Sequence, residues 1–508
     1  MSDEPRVQLR ERVKDPPAEA LVAAYYRPAV ANSIRFVFHP EMRAHLAHGL
    51  MLAERGIVNP VDIARTLRVI LELDAAGPAA LAIDFTQEDL YSYVERHLVN
   101  VLGPDVGGRL HTGRSRNDLN VTTWRIALRD RLIGSLQDLC ALRRTLLDLA
   151  ERHVETVMPG YTHTQHAQPI SLGYYLLSAG DMLARDHSRL AAALSRCNLS
   201  PLGAGALTTT GFPIDRESVA RRLGFAGLVE SAYDAVSGRD DAHEAAAALA
   251  ILMTGMSRLA TDLQAWNTAE FGFIELADAY SSVSSIMPQK KNPQALEYLK
   301  SATAQVTGAL TAALAASKNT SFSDVNDGVS SVNVPVLEAV ERTRSAVAVL
   351  EGVLATMTVR PETMAQSAAN GYGTATELAD VIVRESGLSF RKAHNIVGRV
   401  VREAIAAGRA APAITSDDID AASRALFGIE LAVPQDAVRR ALDPRENLRS
   451  RTVLGGPAAS EMARMIGDRR RRLAEDAADL SAKAAAIETA GRELRAAAEK
   501  HIAAFAPA

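Results

Sequence analysis

The stretch Asn117-Asp-Leu-Asn-Val-Thr-Thr-Trp-Arg-Ile-Ala-Leu-Arg-Asp-Arg-Leu-Ile-Gly-Ser-Leu-Gln-Asp-Leu-Cys140 sets the reading of the whole chain. Val121, Trp124, Leu128, Leu132, Leu136 and Leu139 recur at steps of three and four. That is the period of one helix face, and it runs on to about His153. Asn117 or Asp118 is placed to cap the start, and Pro159-Gly160 to close the segment. Four further patterns of this kind follow: about Pro169 to Arg196, about Asp241 to Trp266, the residues after Asn292, and about Pro335 to Met357. Helices this long exceed the globular mean of about 11–12 residues. They predict an all-α protein built on an elongated bundle whose spare apolar faces favour self-association.

Composition agrees. Of the 508 residues, 47% are hydrophobic and only 5% aromatic, so the core is aliphatic. A formal charge of -4 gives no reason to expect nucleic acid or an anionic membrane as partner. The basic run Arg469 to Arg472 is flanked by Asp468, Glu475 and Asp476 and reads as a solvated helix face. Cys140 and Cys197 lie in apolar helical contexts, which predicts buried thiols and no disulfide framework. Met1 to Ala18 is polar with no apolar core of a leader, and the apolar run Ala245 to Met253 is too short to span a bilayer. A cytoplasmic protein is expected. Turn-rich Gly103 to Gly113 and Asn370-Gly-Tyr-Gly373 divide the chain into regions 1–115, 116–370 and 371–508, the last ending in a charged, exposed helix. Pro201-Leu-Gly-Ala-Gly-Ala206 follows no strand pattern, so it reads as a turn between helices rather than a phosphate loop.

Three polar stretches carry the chemistry: His111-Thr-Gly-Arg-Ser-Arg-Asn-Asp118, Gly160-Tyr-Thr-His-Thr-Gln-His166 and Ser284-Ser-Ile-Met-Pro-Gln-Lys-Lys-Asn-Pro293. In the third, Pro288 bars a helix through the centre, so Ser284 and Ser285 are expected on a loop leading into a helix N-terminus near Asn292. Such a terminus with a lysine beside it holds an anion and favours the ionised form of a nearby hydroxyl. In the first, Arg114, Ser115, Arg116 and Asn117 open a long helix as a carboxylate clamp. In the second, His163 and His166 are proton carriers near neutral pH. No Cys, Asp or Glu stands nearby to complete a zinc site.

On these residues the chain resembles the fumarase/aspartase superfamily, and within it the argininosuccinate lyase branch. The likeness also runs through Gly107-Gly-Arg-Leu110, Met158-Pro-Gly-Tyr-Thr-His163, Pro201 to Leu207, Gly211 to Glu217, Asp234-Ala-Val-Ser237 and Ala375 to Asp380. It implies a three-domain helical subunit, a homotetramer with a twenty-helix core, and active sites each drawn from three chains. It implies reversible elimination of fumarate from an N-substituted aspartate, with no metal or redox cofactor. By position, Ser284 is then the general base, and Lys290 and Asn292 stabilise the aci-carboxylate. Ser115, Arg116, Asn117 and Thr162 hold carboxylates, His163 positions substrate or protonates the departing nitrogen, and Met287 belongs to a loop that closes over substrate.

Two departures bear on the substrate. Glu88-Asp89-Leu90-Tyr91 stands where the family carries Glu-Asp-x-His, so Tyr91 enters the list of substrate-facing residues. The Tyr, Gln and Lys with which argininosuccinate lyases grip arginine match Val325, Ser330 and Asn333, and Thr320 to Asn333 holds no Tyr, Gln or Lys. The fumarate half looks intact and the amine half rebuilt. An aminopolycarboxylate such as ethylenediamine-N,N'-disuccinate (EDDS) is therefore the expected substrate. The alternatives are argininosuccinate itself, or a non-catalytic crystallin-like homologue.

Overall fold

A computed structural model describes residues 12–13 and 15–505, and the side chains of 326–330 fall outside that description, Ser330 among them. The leaderless reading of Met1 to Ala18 lies mostly outside it too. The major helices are α1 Arg27–Glu54, α2 Pro60–Ala76, α3 Leu90–Leu102, α4 Arg116–Arg152, α5 Leu172–Cys197, α6 Asp240–Trp266, α7 Gln294–Ser317 and α8 Asn326–Thr356. Then follow α9 Ala375–Ser386, α10 Phe390–Ala406, α11 Ser416–Phe427, α12 Gln435–Leu442 and α13 Ala459–Phe505. The protein is all-α in architecture, with four small two-stranded ribbons among the described residues.

The five expected long helices are α4 to α8, packed against one another through one aliphatic core. Val121, Trp124, Leu128, Leu132, Leu136 and Leu139 are all buried there. Three boundaries differ from expectation. Ser115, not Asn117 or Asp118, caps α4: its hydroxyl accepts from the Asn117 N–H at 3.3 Å, and Asp118 accepts the Ser115 N–H in a capping box. The helix stops at Arg152, and Pro159 and Gly160 lie inside a strand. α8 begins at Asn326, nine residues before Pro335, which the helix carries internally.

α6 is long and apolar enough by composition to cross a membrane, contrary to expectation, with mean hydropathy 1.2 over its best window. Yet 61% of that window is buried inside the protein, against α5, α7 and α8. A second core is separate and belongs to α9 to α12, residues 378–442. The last helix, α13, leaves that unit and runs back along α4, α2 and α1. Burial of Leu473, Leu480 and Leu494 contributes about 1.5–3 kcal/mol each. Arg143 to Asp476 at 2.7 Å and Arg469 to Asp181 at 2.8 Å fix the register. Arg470 pairs with Asp148 and Glu151, and Arg471 with Asp468, so much of the basic run is neutralised in place. Cys140 and Cys197 are free and buried.

Candidate active site

Loop 111–115 and the first turn of α4 are held from below by a buried polar cluster. Arg114, wholly buried, points its Nη1 at His45 Nδ1, 3.0 Å away. His45 Nε2 lies 3.4 Å from Glu41 Oε1 on the same face of α1. His48, one turn on, meets the Thr112 carbonyl at 3.0 Å. Burial raises the Glu41 carboxyl to about 8, with Asp89 adding to the rise and Arg114 opposing it. Burial likewise keeps His45 and His48 well below the usual imidazole range, and drops His111 to about 4. Glu41 and His45 are thus held neutral at pH 7, and Arg114 is the one cation between them.

Tyr91 is part of this cluster. It is 6% exposed, its ring centroid is 4.9 Å from His111, and its hydroxyl donates to Glu95 Oε1 at 2.5 Å. It faces the loop's underside.

Asp118 is the tie on the other side. Its Oδ2 accepts the N–H groups of Gly203 and Gly205, each at 2.9 Å. Both glycines have positive φ, 89° and 62°, which turns two alternate amides onto one oxygen. Burial raises the Asp118 carboxyl to about 6, against those hydrogen bonds and Arg114. The Pro201 to Ala206 turn therefore anchors the loop, its two glycine N–H groups engaged by Asp118. Above it, Asn117 Nδ2 donates to the Ala206 carbonyl at 3.4 Å. Arg116 is exposed and pairs with Glu88 and with Asp89, the latter at 2.8 Å. Sequence reasoning missed these two carboxylates. Their signal was available, since Asp89 is an N-cap three residues before Ser92, whose N–H it accepts at 2.8 Å.

The second stretch forms a hairpin. β1 Val157–Thr162 pairs antiparallel with β2 Gln165–Ser171, and Thr162 faces Gln165 across a two-residue turn. His163 and Thr164 fill that turn at φ 51° and 59°. Non-glycine residues there carry strain of about 1–3 kcal/mol each, a mark of sites where side-chain direction matters. The bulge at Gly160 brings the strands so close that a Cβ would sit 2.6 Å from the Gln168 carbonyl oxygen. Thr162 and His163 are exposed at the tip, while His166 turns toward Tyr161 Oη at 3.4 Å.

The third stretch is a second hairpin. β3 Ser282–Val283 pairs with β4 Lys291–Asn292, and α7 starts at Gln294 beyond them. The loop does lead to a helix start just past Asn292, as expected, but a short ribbon intervenes, with Ser282 facing Asn292 and Val283 facing Lys291. The loop supplies its own donors: Ser284 Oγ accepts the N–H of Met287 at 3.0 Å and of Ile286 at 3.4 Å. Such bonds favour negative charge on the oxygen. Lys291 is ion-paired to Asp278 at 2.7 Å and Glu275 at 3.2 Å. Lys290 is exposed and has no ion pair among the described residues. Asn292 Nδ2 donates to Ser282 Oγ at 3.5 Å. Val283 and Ile286 are 87% and 83% exposed, and Met287 is exposed beside them.

No hydrogen bond or ion pair among the described residues joins any two of the three stretches. Within one chain each outcrop is held by its own partners, not by the other two. Nor does any group of three or more His, Cys, Asp or Glu among the described residues suit a metal ion.

Residues 44–308 match the family model described as lyase, and 372–449 the one described as argininosuccinate lyase C-terminal. An argininosuccinate lyase of Methanosarcina mazei is 41% identical over 470 residues, 92% of this chain and 94% of the relative. A crystal structure of EDDS lyase in complex with formate superposes with TM-score 0.88 at 32% identity, covering 97% of this chain and 98% of that one. A class II fumarase from Schistosoma mansoni shares the fold, with TM-score 0.67, 15% identity, and 81% and 90% coverage. Helical bundle and polar outcrops together define a lyase of the fumarase/aspartase superfamily. The chain belongs to the argininosuccinate lyase branch of that superfamily, and it is a carbon–nitrogen lyase.

Proposed function

We propose that this protein eliminates fumarate from an N-substituted aspartate, and that argininosuccinate is the first substrate to expect. The curated relatives, led here by the 41% identical argininosuccinate lyase, favour that substrate over EDDS. The observation that carries the reaction is the state of the outcrops. His163 and Lys290 project from hairpin tips with no side-chain partner among the described residues, while Ser284 Oγ accepts two backbone N–H groups.

In this reading Ser284 removes the proton from the carbon beside a substrate carboxylate. The electron pair passes into that carboxylate, giving a dianionic aci form held by Lys290 and Asn292. Collapse forms the carbon–carbon double bond, breaks the carbon–nitrogen bond, and returns a proton to nitrogen, with His163 as donor or as the group that orients it. Ser115, Arg116, Asn117 and Thr162 hold the carboxylates, with Met287 on the closing loop and Tyr91 beneath the first stretch.

Because no hydrogen bond or ion pair among the described residues ties the stretches together within one chain, the reading includes a homotetramer in which three chains complete each site around a twenty-helix core. It keeps three units, 1–115, 116–370 and 371–508, with 459–505 running back over the first two. It also keeps a cytoplasmic setting and no cofactor.

A second reading rests on Thr320 to Asn333, which holds no Tyr, Gln or Lys. Loss of that grip should cost several kcal/mol of transition-state binding to arginine, which leaves room for an aminopolycarboxylate such as EDDS. Fumarate release, followed by its ultraviolet absorbance, decides between them. Faster turnover of argininosuccinate supports the first reading, faster turnover of EDDS the second, and release from neither ends both.

A further inference from the structure

Gly352 sits on α8 at a point where no side chain fits. A Cβ there would lie 1.8 Å from the Tyr280 hydroxyl oxygen and 2.4 Å from its Cζ. The Tyr280 ring therefore rests on the helix backbone, partly buried against the main core. Tyr280 closes the short turn Asp278–Tyr280, and Ser282, two residues on, begins the ribbon that carries the Ser284 loop. Glu351, beside Gly352, accepts from the Thr145 hydroxyl of α4 at 3.1 Å, so the backbone under the ring is tied into the bundle.

α8 reaches the same loop by a second route. Its end leads into Thr358–Val359, which pair with Ile274–Glu275. Arg360 follows: its N–H donates to the Phe273 carbonyl at 2.9 Å, and its guanidinium donates to Glu275 at 2.5 Å. Glu275 also accepts from Lys291 at 3.2 Å, and Lys291 meets Asp278 at 2.7 Å. Two cations and two carboxylates balance there, 2 − 2 = 0. Lys291 faces Val283 across the ribbon. Both limbs of the Ser284 loop thus start from points anchored to α8, one through Tyr280 and the other through Lys291. The neighbouring Lys290 is left exposed, with no ion pair among the described residues. Adjacent lysines are therefore used differently: one holds the base of the loop, and the other stays free at its tip.

We propose that α8 is the seat that aims the Ser284 loop, with Tyr280 and Lys291 as positioning residues acting through Ser284 and Lys290. The inference rests on the fumarate-releasing reading and adds what fixes the geometry of its base. A flat ring packed on a helix backbone has little room to yield, because close-packed interiors transmit strain. A group added at Gly352 moves the ring, and with it the limb that leads to Ser284. Lys291 is a compact charge with three donors, two of them used on carboxylates from the residues before the ribbon.

The test is steady-state fumarate release by Gly352→Ala, from whichever of argininosuccinate and EDDS the wild type cleaves. Alanine is the better helix former, so α8 itself is not weakened. Misplacing a reacting group by about 1 Å can cost about 10²-fold in rate, so kcat should fall by about tenfold or more. KM and the fumarate Ki should stay within about twofold, because the residues assigned to hold carboxylates lie on the other two stretches. Lys291→Met should show the same split with a fall of about fivefold, the most an exposed ion pair supplies, and Lys291→Arg should recover most of it. If Gly352→Ala does not fold, the two Lys291 variants decide alone. A folded Gly352→Ala or Lys291→Met with kcat within about twofold of wild type overturns the assignment, as does a fumarate Ki that rises in step with the loss of kcat. A wild type that releases fumarate from neither compound overturns the fumarate-releasing reading itself, so the two failures are distinct.

Discussion

Arg116 Nη1 lies 2.8 Å from Asp89 Oδ2, so the guanidinium expected to hold a substrate carboxylate is already paired within its own chain. Both groups are partly exposed, at 44% and 31%, so the pair is worth at most about 1 kcal/mol. Asp89→Asn keeps the N-cap, since Asn caps as well as Asp. It leaves Arg116 one competitor fewer. Fumarate should then bind more tightly, by up to about fivefold, as read from its inhibition constant. Weaker binding would mean that Asp89 serves to aim Arg116 rather than to compete for it.

Ser284→Ala removes the proposed base while leaving its loop the same length. Fumarate release should fall by about 10²–10⁴-fold, with fumarate still binding the resting protein. A variant within tenfold of wild type would reassign the base.

If the stretches meet only between chains, two dead variants should rescue each other. Ser284→Ala and Asn117→Ala, refolded together, should regain up to about a quarter of wild-type activity, because some mixed sites receive both intact residues. No regain in assemblies shown to contain both variants would place the Asn117 and Ser284 stretches of each site in one chain.

Asp118 holds three backbone N–H groups, those of Ser115, Gly203 and Gly205. Asp118→Ala strands them in a buried place and should cost about 2–4 kcal/mol, measured by urea unfolding. The activity lost should track the disordering of Arg116 and Asn117.

Glu41 sets a pH signature. Its carboxyl rises in the folded protein to about 8, so the native state holds a proton that the unfolded chain has released. The stability it contributes is full below the unfolded value of about 4.5 and is lost as pH climbs through about 8. His45 and His48, lowered by burial, act oppositely, but only below about 6.5. Between about pH 7 and 8 the Glu41 slope therefore stands alone. Glu41→Gln should flatten the fall in melting temperature across that window, and an identical profile would mean that Glu41 is ionised in place.

The helices α4 to α8 were legible because a three-to-four repeat of Val and Leu has no other use in a chain this long. The hairpins were not. Gln165-His-Ala-Gln-Pro-Ile-Ser171 lacks β-branched alternation, and the turn at His163-Thr164 lacks the Asn-Gly signal that marks such turns. The start of α8 was misplaced because Pro335 reads as a first-turn proline, while the packing of Val332, Val336 and Val340 carries the helix through it. The polar stretches stood out by residue type. Their supports did not: Glu41, His45 and His48 look like an ordinary polar row until Arg114 is brought between them. Their spacing of four and three, which puts them on one face of α1, was the available hint. Which face Tyr91 presents depends on Glu95 and His111 together, and no local pattern encodes that.

Because α13 returns to lie on α1 and α2, with His501 reaching the Pro60 carbonyl at 3.0 Å, these two helices rest on residues made 441 positions later. A nascent chain on the ribosome would carry α1 and α2 without that cover until α13 emerges. Consolidation of α1 and α2 then waits on synthesis of α13, and their bare surface is what a chaperone would meet in the interval.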